Sequence, residues 1–434
     1  VKARGTVLAT TLLGTLALAP AAGAQGRYEV WAIDQSNSPG KAYGGTLYVW
    51  EGRDLLNEHR VASARAERID LGGEAAALCL ARTGAHPVRP HMMAMSPAQT
   101  HAVISFVATG HVLFMDAAAR RPVACFRMSP GAGGARQAHM ATPSPDGTYV
   151  TVANQNGKLL ERIDTDWAAG TFVHDTAATL DLANCTTPNG LPCQDPVRRP
   201  DNAPICPITD STSRFTFVTL RGGGLFVVDA RSTPMRIVGE YDDEAVHGNG
   251  CLGAEVPGKM YIDSGGGTAT NLHQADLYAF PTDGYSTLHP PNTPAPVLVF
   301  SDESDGADAH GAALSGHGKF LWIADRGRNF LWVVGTATDE VVDTIPLVGD
   351  VSDDPTPDLV AFAPTGSHAF LSLRGPMPLT ADPHVSTGST PGVGIVKVLR
   401  GGRQGRFEAV AAVSNVDEQG VERADVHAMT VRSK

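Results

Sequence analysis

Beyond its first 24 residues the sequence holds no run of the roughly 18 apolar residues that a membrane-spanning helix needs, so no later insertion as a helix is expected. Basic clusters are also missing. Thirty-four Lys and Arg stand against 45 Asp and Glu, a formal net charge of −11, and this balance argues against nucleic acid or an anionic membrane as partner. Cysteine is sparse, six in 434 residues, with no CxxC pair and no spacing that matches a zinc framework. Neither a nucleophile elbow nor a paired-carboxylate signature occurs. The runs Gly222-Gly223-Gly224 and Gly265-Gly266-Gly267 read as turns and not as phosphate loops, because no helix is predicted after either.

What is present begins with a leader. Lys2 and Arg4 precede an apolar run from Val7 to Leu18, Pro20 ends it, and Ala22-Gly23-Ala24 offers a cleavage site. Residues 1–24 are therefore expected to be a signal peptide and residues 25–434 one exported domain, periplasmic or secreted. An oxidising compartment makes disulfides the natural state of cysteine pairs. Cys185 and Cys193 flank the turn-rich TTPNGLP and suit a loop clip, while Cys206 and Cys251 lie in or beside predicted innermost strands and suit a cross-blade link.

The most informative stretch is His310 to Gly349, in which short segments rich in β-branched and aromatic residues alternate with glycine and aspartate turns. It reads as four strands: His310–Ser315, Lys319–Ala324, Phe330–Val334 and Glu340–Leu347. Four short antiparallel strands in roughly 40 to 50 residues make one β-propeller blade. Innermost strands are predicted from Pro90, Ala138, Ile205, Val246, Ala309, Asp358 and Val426, which makes seven blades. The first blade has only three strands of its own, Tyr28–Ile33, Gly45–Trp50 and Ala66–Leu71, and Asp425–Arg432 is expected to pair into it and close the ring. The fold class is thus all-β, a seven-bladed propeller.

IADRGRNFLWVVGTATDEVVDTIPLVG in the sixth unit resembles the YVTN repeat of bacterial β-propellers. That fold hosts many activities and implies none. Residues opening the innermost strands converge on one channel mouth, and here they are His91, His139, Cys206, His247, His310, Asp358 and His427. The second strands bring Asp34, Asn154, Gln155, Arg221, Asp263, Asp325, Arg326 and Arg374 to the same rim. The loops 35–44, 264–274, 375–392 and 185–204 are expected to cover that face, as binding loops do. Asp308 and Asp425 are expected to point outward by strand alternation. Methionines 92, 93, 95, 140 and 429 read as packing, and histidines 86, 101, 111, 174, 273, 289, 317, 368 and 384 as surface.

An imidazole-rich set favours copper or zinc over calcium or magnesium. The His ring is similar to the propeller copper sites of nitrous oxide reductases and copper thiocyanate dehydrogenases, although Cys206 and Asp358 depart from the first and no downstream cupredoxin domain is present. The resemblance implies a copper-dependent oxidoreductase with His91, His139, His247, His310, His427 and Asp358 on the metal, zinc being the alternative. Carboxylates behind the imidazoles would fix their tautomers, and the arginines would suit a small anionic or polarisable substrate. A periplasmic electron acceptor would be the partner. Two other classes fit the same residues: a YVTN-like lactonase or other hydrolase with Asp34, Asp263 or Asp358 as base, and a non-catalytic binding scaffold in which the histidines bond neighbouring backbone.

Overall fold

The structure, a computed structural model, describes residues 27–56, 61, 63–266, 272–288, 291–378 and 387–434. The leader, His289 and His384 lie outside the described residues. Among the described residues twenty-eight strands form seven four-stranded sheets, each antiparallel throughout, and this is a seven-bladed β-propeller. Blade six shows why the sequence folds this way. Its strands Ala309–Leu314, Phe320–Asp325, Phe330–Gly335 and Glu340–Pro346 are separated by turns carrying His317, Asn329 and Asp339 at positive φ. Trp322, fully buried on the second strand, stacks edge-on against Phe362 of blade seven at 4.9 Å and donates its indole N–H to Gly402 O at 2.7 Å. Burying a Trp removes on the order of 150–250 Å² from water, worth about 4–6 kcal/mol before its entropy cost. Such blade-to-blade contacts, repeated around the ring, are where the core sits.

Closure takes the expected form. Val426–Ser433 is the innermost strand of blade one and pairs with Tyr28–Asp34, from Tyr28 opposite Ser433 to Asp34 opposite Val426. Chain ends 390 residues apart in sequence are thereby locked together, Gln35 reaching Asp425, and no sheet edge is left where the ring would open. The segments 35–45, 266–274 and 374–391 do fall between second and third strands, and 182–203 precedes an innermost strand.

Several expectations need correction. Blade five begins its inner strand at Gly253 and not near Val246, so His247 precedes it by six residues in a loop. In blade four the strand is Pro204–Thr209 with Pro204 opposite Leu220, which gives the ring position to Ile205 and moves Cys206 one place inward. A helix, Glu74–Thr83, follows blade one and ends at Gly84 in the left-handed conformation, a capping role that glycine fills without a Cβ clash. Disulfides join Cys79 to Cys125, tying this helix to blade two, and Cys185 to Cys193, clipping the loop as anticipated. His101, His111 and His368 are buried, because each opens a second or third strand whose residues face neighbouring blades. His111 lies between the hydroxyls of Thr83 at 2.9 Å and Thr109 at 2.8 Å. The methionines pack as expected, Met92, Met93 and Met140 in one core cluster and Met429 in another.

Candidate functional site

In six blades the first residue of the inner strand faces the end of the second strand: Pro90 with Phe106, Ala138 with Asn154, Pro204 with Leu220, Ala309 with Asp325, Pro357 with Leu373 and Val426 with Asp34. A register slip follows directly in each. The second residue therefore occupies one equivalent place, held by His91, His139, Ile205, His310, Asp358 and His427. Five of these six carry chemistry, and they meet. His91 Nε2 lies 3.2 Å from His139 Nε2, the His91 and His427 rings are 3.9 Å apart edge to face, and those of His310 and His427 5.2 Å apart.

Hydrogen bonds behind the rings fix their protons. Arg374 grips Asp425 with Nε at 2.6 Å and Nη2 at 2.9 Å, and Gln35 Nε2 donates to the same carboxylate at 2.6 Å. The amide oxygen of Gln35 then faces His91 Nδ1 at 3.1 Å, so His91 carries its proton on Nδ1 and its Nε2 accepts from His139 Nε2–H. A second fork runs from Arg326 to Asp308, at 2.8 and 2.9 Å. Between the forks lies Asp358, whose oxygens take Arg374 Nη1 at 3.0 Å and Arg326 Nη1 at 3.4 Å. His310 Nδ1 and His427 Nδ1 come within 3.0 and 3.2 Å of the same carboxylate. Neither approach has hydrogen-bond geometry, and both nitrogens are buried without a hydrogen-bond partner.

Burial sets the electrostatics. It lowers the pKa of His91, His310 and His427 well below the usual histidine value, helped at His91 by His427 and His139, at His310 by Arg326 and at His427 by Arg374. These rings are neutral near pH 7 and keep lone pairs for a proton or a metal. Burial also raises Asp358, against the pull of Arg374 and Arg326. Both guanidinium groups stay charged, since burial is outweighed by the carboxylates they face. Three buried carboxylates, Asp308, Asp358 and Asp425, meet two buried guanidinium groups, which leaves one negative charge in excess wherever all are ionised.

Of the sequence-predicted residues, the structure brings together His91, His139, His310, His427, Asp358, Arg326 and Arg374. The others have separate partners. His247 is bonded to Asp276 at 2.6 Å, which raises its pKa. Asp34 accepts from Ser36, Asn415 and the backbone N–H of Asp425, and burial pushes it up to about 6. Asp263 holds the N–H groups of Cys251 and Leu252 at 3.0 and 3.1 Å, with burial pushing it up to about 8. Asp325 is paired with Arg328 at 2.6 Å and Trp332 at 3.3 Å, and Arg221 with Asp201 at 2.6 Å. Asp308 and Asp425 do not point away. Their strands begin only at Ala309 and Val426 and slip in register there, so alternation does not extend back to them. The Asp-x-His spacing at 308–310 and 425–427 was a usable signal for both. Gln35, the first residue after its strand, carried none.

The likeness to known proteins is one of shape. No protein-family model matches the chain, and no curated protein sequence matches it. Solved structures do match. A candidate 6-phosphogluconolactonase of Bacteroides fragilis superposes with a TM-score of 0.55 at 11% identity, covering 94% of this chain and 98% of its own. The periplasmic gluconolactonase of Pseudomonas aeruginosa gives 0.53 at 13% identity over 89% and 97%. The Swd1 β-propeller domain of Myceliophteria thermophila gives 0.52 at 11% over 80% and 93%. At these identities the match establishes the propeller, and the fold carries no activity with it. Neither the YVTN assignment nor the likeness to propeller copper sites gains support from these matches.

Proposed function

We propose that the chain is an exported hydrolase of small lactones or related esters, acting where the inner strands of blades one, two and three meet. The observation that carries this reading is the His91–His139 pair: two half-buried imidazoles with Nε2 atoms 3.2 Å apart, one of them held by Gln35 with its lone pair forward. A water that takes the place of His139 at His91 Nε2 would give up a proton to that nitrogen as its oxygen attacks the carbonyl carbon. The ring C–O bond then breaks, and the departing alkoxide takes the proton back. Positioned general bases of this kind contribute about 10²–10⁴-fold. The substrate is best uncharged, because Arg326 and Arg374 are already committed to carboxylates. An anionic substrate, expected from the arginines in the sequence, finds no free guanidinium among these two. Two disulfides and the likeness to a periplasmic gluconolactonase favour export.

Gluconolactone hydrolysis followed by pH-stat tests the reading. Turnover well above the spontaneous rate is expected, with His91→Ala and His139→Ala each lowering kcat/KM by about 100-fold or more. A wild-type rate equal to the spontaneous one rejects it.

A second reading, a copper or zinc centre, is favoured by a separate observation. His310, Asp358 and His427 offer ligand atoms within 4.8 Å of one another, the Nδ1 atoms of both imidazoles lack hydrogen-bond partners, and the surrounding charge is negative in excess wherever Asp358 is ionised. The guanidinium groups on Asp358 oppose a cation. Copper bound there would supply electron transfer to a soluble acceptor, whereas zinc would supply a Lewis acid. Metal analysis after copper or zinc supply decides: about one equivalent per chain, lost in His310→Ala and His427→Ala, supports this reading, and none in the wild type rejects it.

A further inference from the structure

Blades four and five bring no imidazole to the ring, and on that side two cysteines face each other. Cys206 on the inner strand of blade four and Cys251, two residues before that of blade five, place their sulfurs 2.7 Å apart, both unbonded and fully buried. Hydrogen bonds hold both backbones. Cys206 N–H donates to Thr219 Oγ1 at 3.1 Å, Thr219 Oγ1 donates across the seam to Gly250 O at 2.6 Å, and Cys251 N–H donates to Asp263 Oδ1 at 3.0 Å. The sulfurs are thus held by the two sheets within about 1 Å of the disulfide bond length of about 2.05 Å.

We propose that Cys206 and Cys251 form a third disulfide, a cross-link from blade four to the chain entering blade five. The other two bridges tie a helix and a loop to their own surroundings. It is placed on the far side of the ring from the strand that closes blade one, and behind it Cys206 Sγ lies 4.0 Å from His139 Nδ1, so the bond fixes the wall against which His139 packs. It forms while the chain folds, before burial shuts the thiols away, by exchange with a small disulfide such as oxidised glutathione. One thiolate attacks the oxidant and releases one thiol. The second then displaces the other, so two protons and two electrons leave on two molecules of reduced thiol.

The test is non-reducing peptide mapping of the full chain refolded in a glutathione redox buffer, with a dithiothreitol-refolded sample beside it. A peptide linking Cys206 to Cys251 is expected in the first, together with a melting temperature a few degrees above that of Cys251→Ser prepared in the same buffer. Should Cys251→Ser fail to fold, mapping of the wild type alone still decides. Material in which Cys79–Cys125 and Cys185–Cys193 are intact while Cys206 and Cys251 are both fully alkylated by a thiol reagent after denaturation overturns the proposal.

Discussion

Arg374 shows how much can hang on one side chain. It is 1% exposed and serves two buried carboxylates at once, Asp425 through a fork and Asp358 through its remaining nitrogen. Arg374→Met would leave both without that cation, and breaking a buried pair in this way costs roughly 3–5 kcal/mol; urea unfolding should show a loss of that order. Asp263 makes the opposite point. Its folded pKa of about 8 lies above the ordinary 3.8 because of burial, so the folded chain holds a proton that the unfolded chain releases. The resulting stability is complete below about pH 4 and is lost as pH rises through 8. Measured against Asp263→Asn, which does not titrate, the wild type should therefore lose stability between pH 4 and 8, by about 1 kcal/mol or more. A constant difference in melting temperature across that range would contradict the assignment. The sequence marks His91, His139, His310 and His427 through their repeated place, but Asp263 and Asp325 read alike there, whereas the structure sets Asp263 two residues inside the end of Lys259–Gly265 and Asp325 at the end of Phe320–Asp325.

Between elements, glycine decides how closely the inner strands approach. A Cβ at Gly311 would sit 2.2 Å from Asp358 O and 2.6 Å from Leu359 Cα, so the inner strand of blade six lies directly against that of blade seven. His310 and Asp358 are brought within 3.0 Å by this approach. Gly311→Ala should force the strands apart, lowering the melting temperature by several degrees and weakening whichever activity or metal binding the site displays. Gly316→Ala, where a Cβ meets nothing within 4 Å, is the matched control and should change neither. That contact could not be read from the sequence, because a glycine at strand position three says nothing about the blade beside it.

For the whole molecule the decisive event is closure. The last strand brings Asp425 and His427 to a site otherwise built from blades one, two, three, six and seven, so completing the ring and completing the site are one step. Truncation after Glu422 removes that strand and exposes the paired edge of Tyr28–Asp34. The shortened chain should associate or aggregate in size-exclusion chromatography with light scattering. A monomer with an unchanged melting temperature would show that closure contributes little.

Strand number, blade number and the closing role of the C-terminal strand were determined by the sequence, since turn residues and β-branched runs at a regular spacing admit few other arrangements. The candidate ring was legible for the same reason, four of its five histidines occupying one repeated place. The structure alone decided the rest. A strand that starts at Pro204 gives the ring place to Ile205 and not to Cys206, and a late strand start leaves His247 with Asp276. Asp308 and Asp425 became partners of the arginines, and Gln35 set the proton on His91. These contacts join residues 18 to 56 positions apart, some within a blade and some across blades; they are fixed by strand starts and by how sheets pack around a common axis, and local pattern does not carry that information.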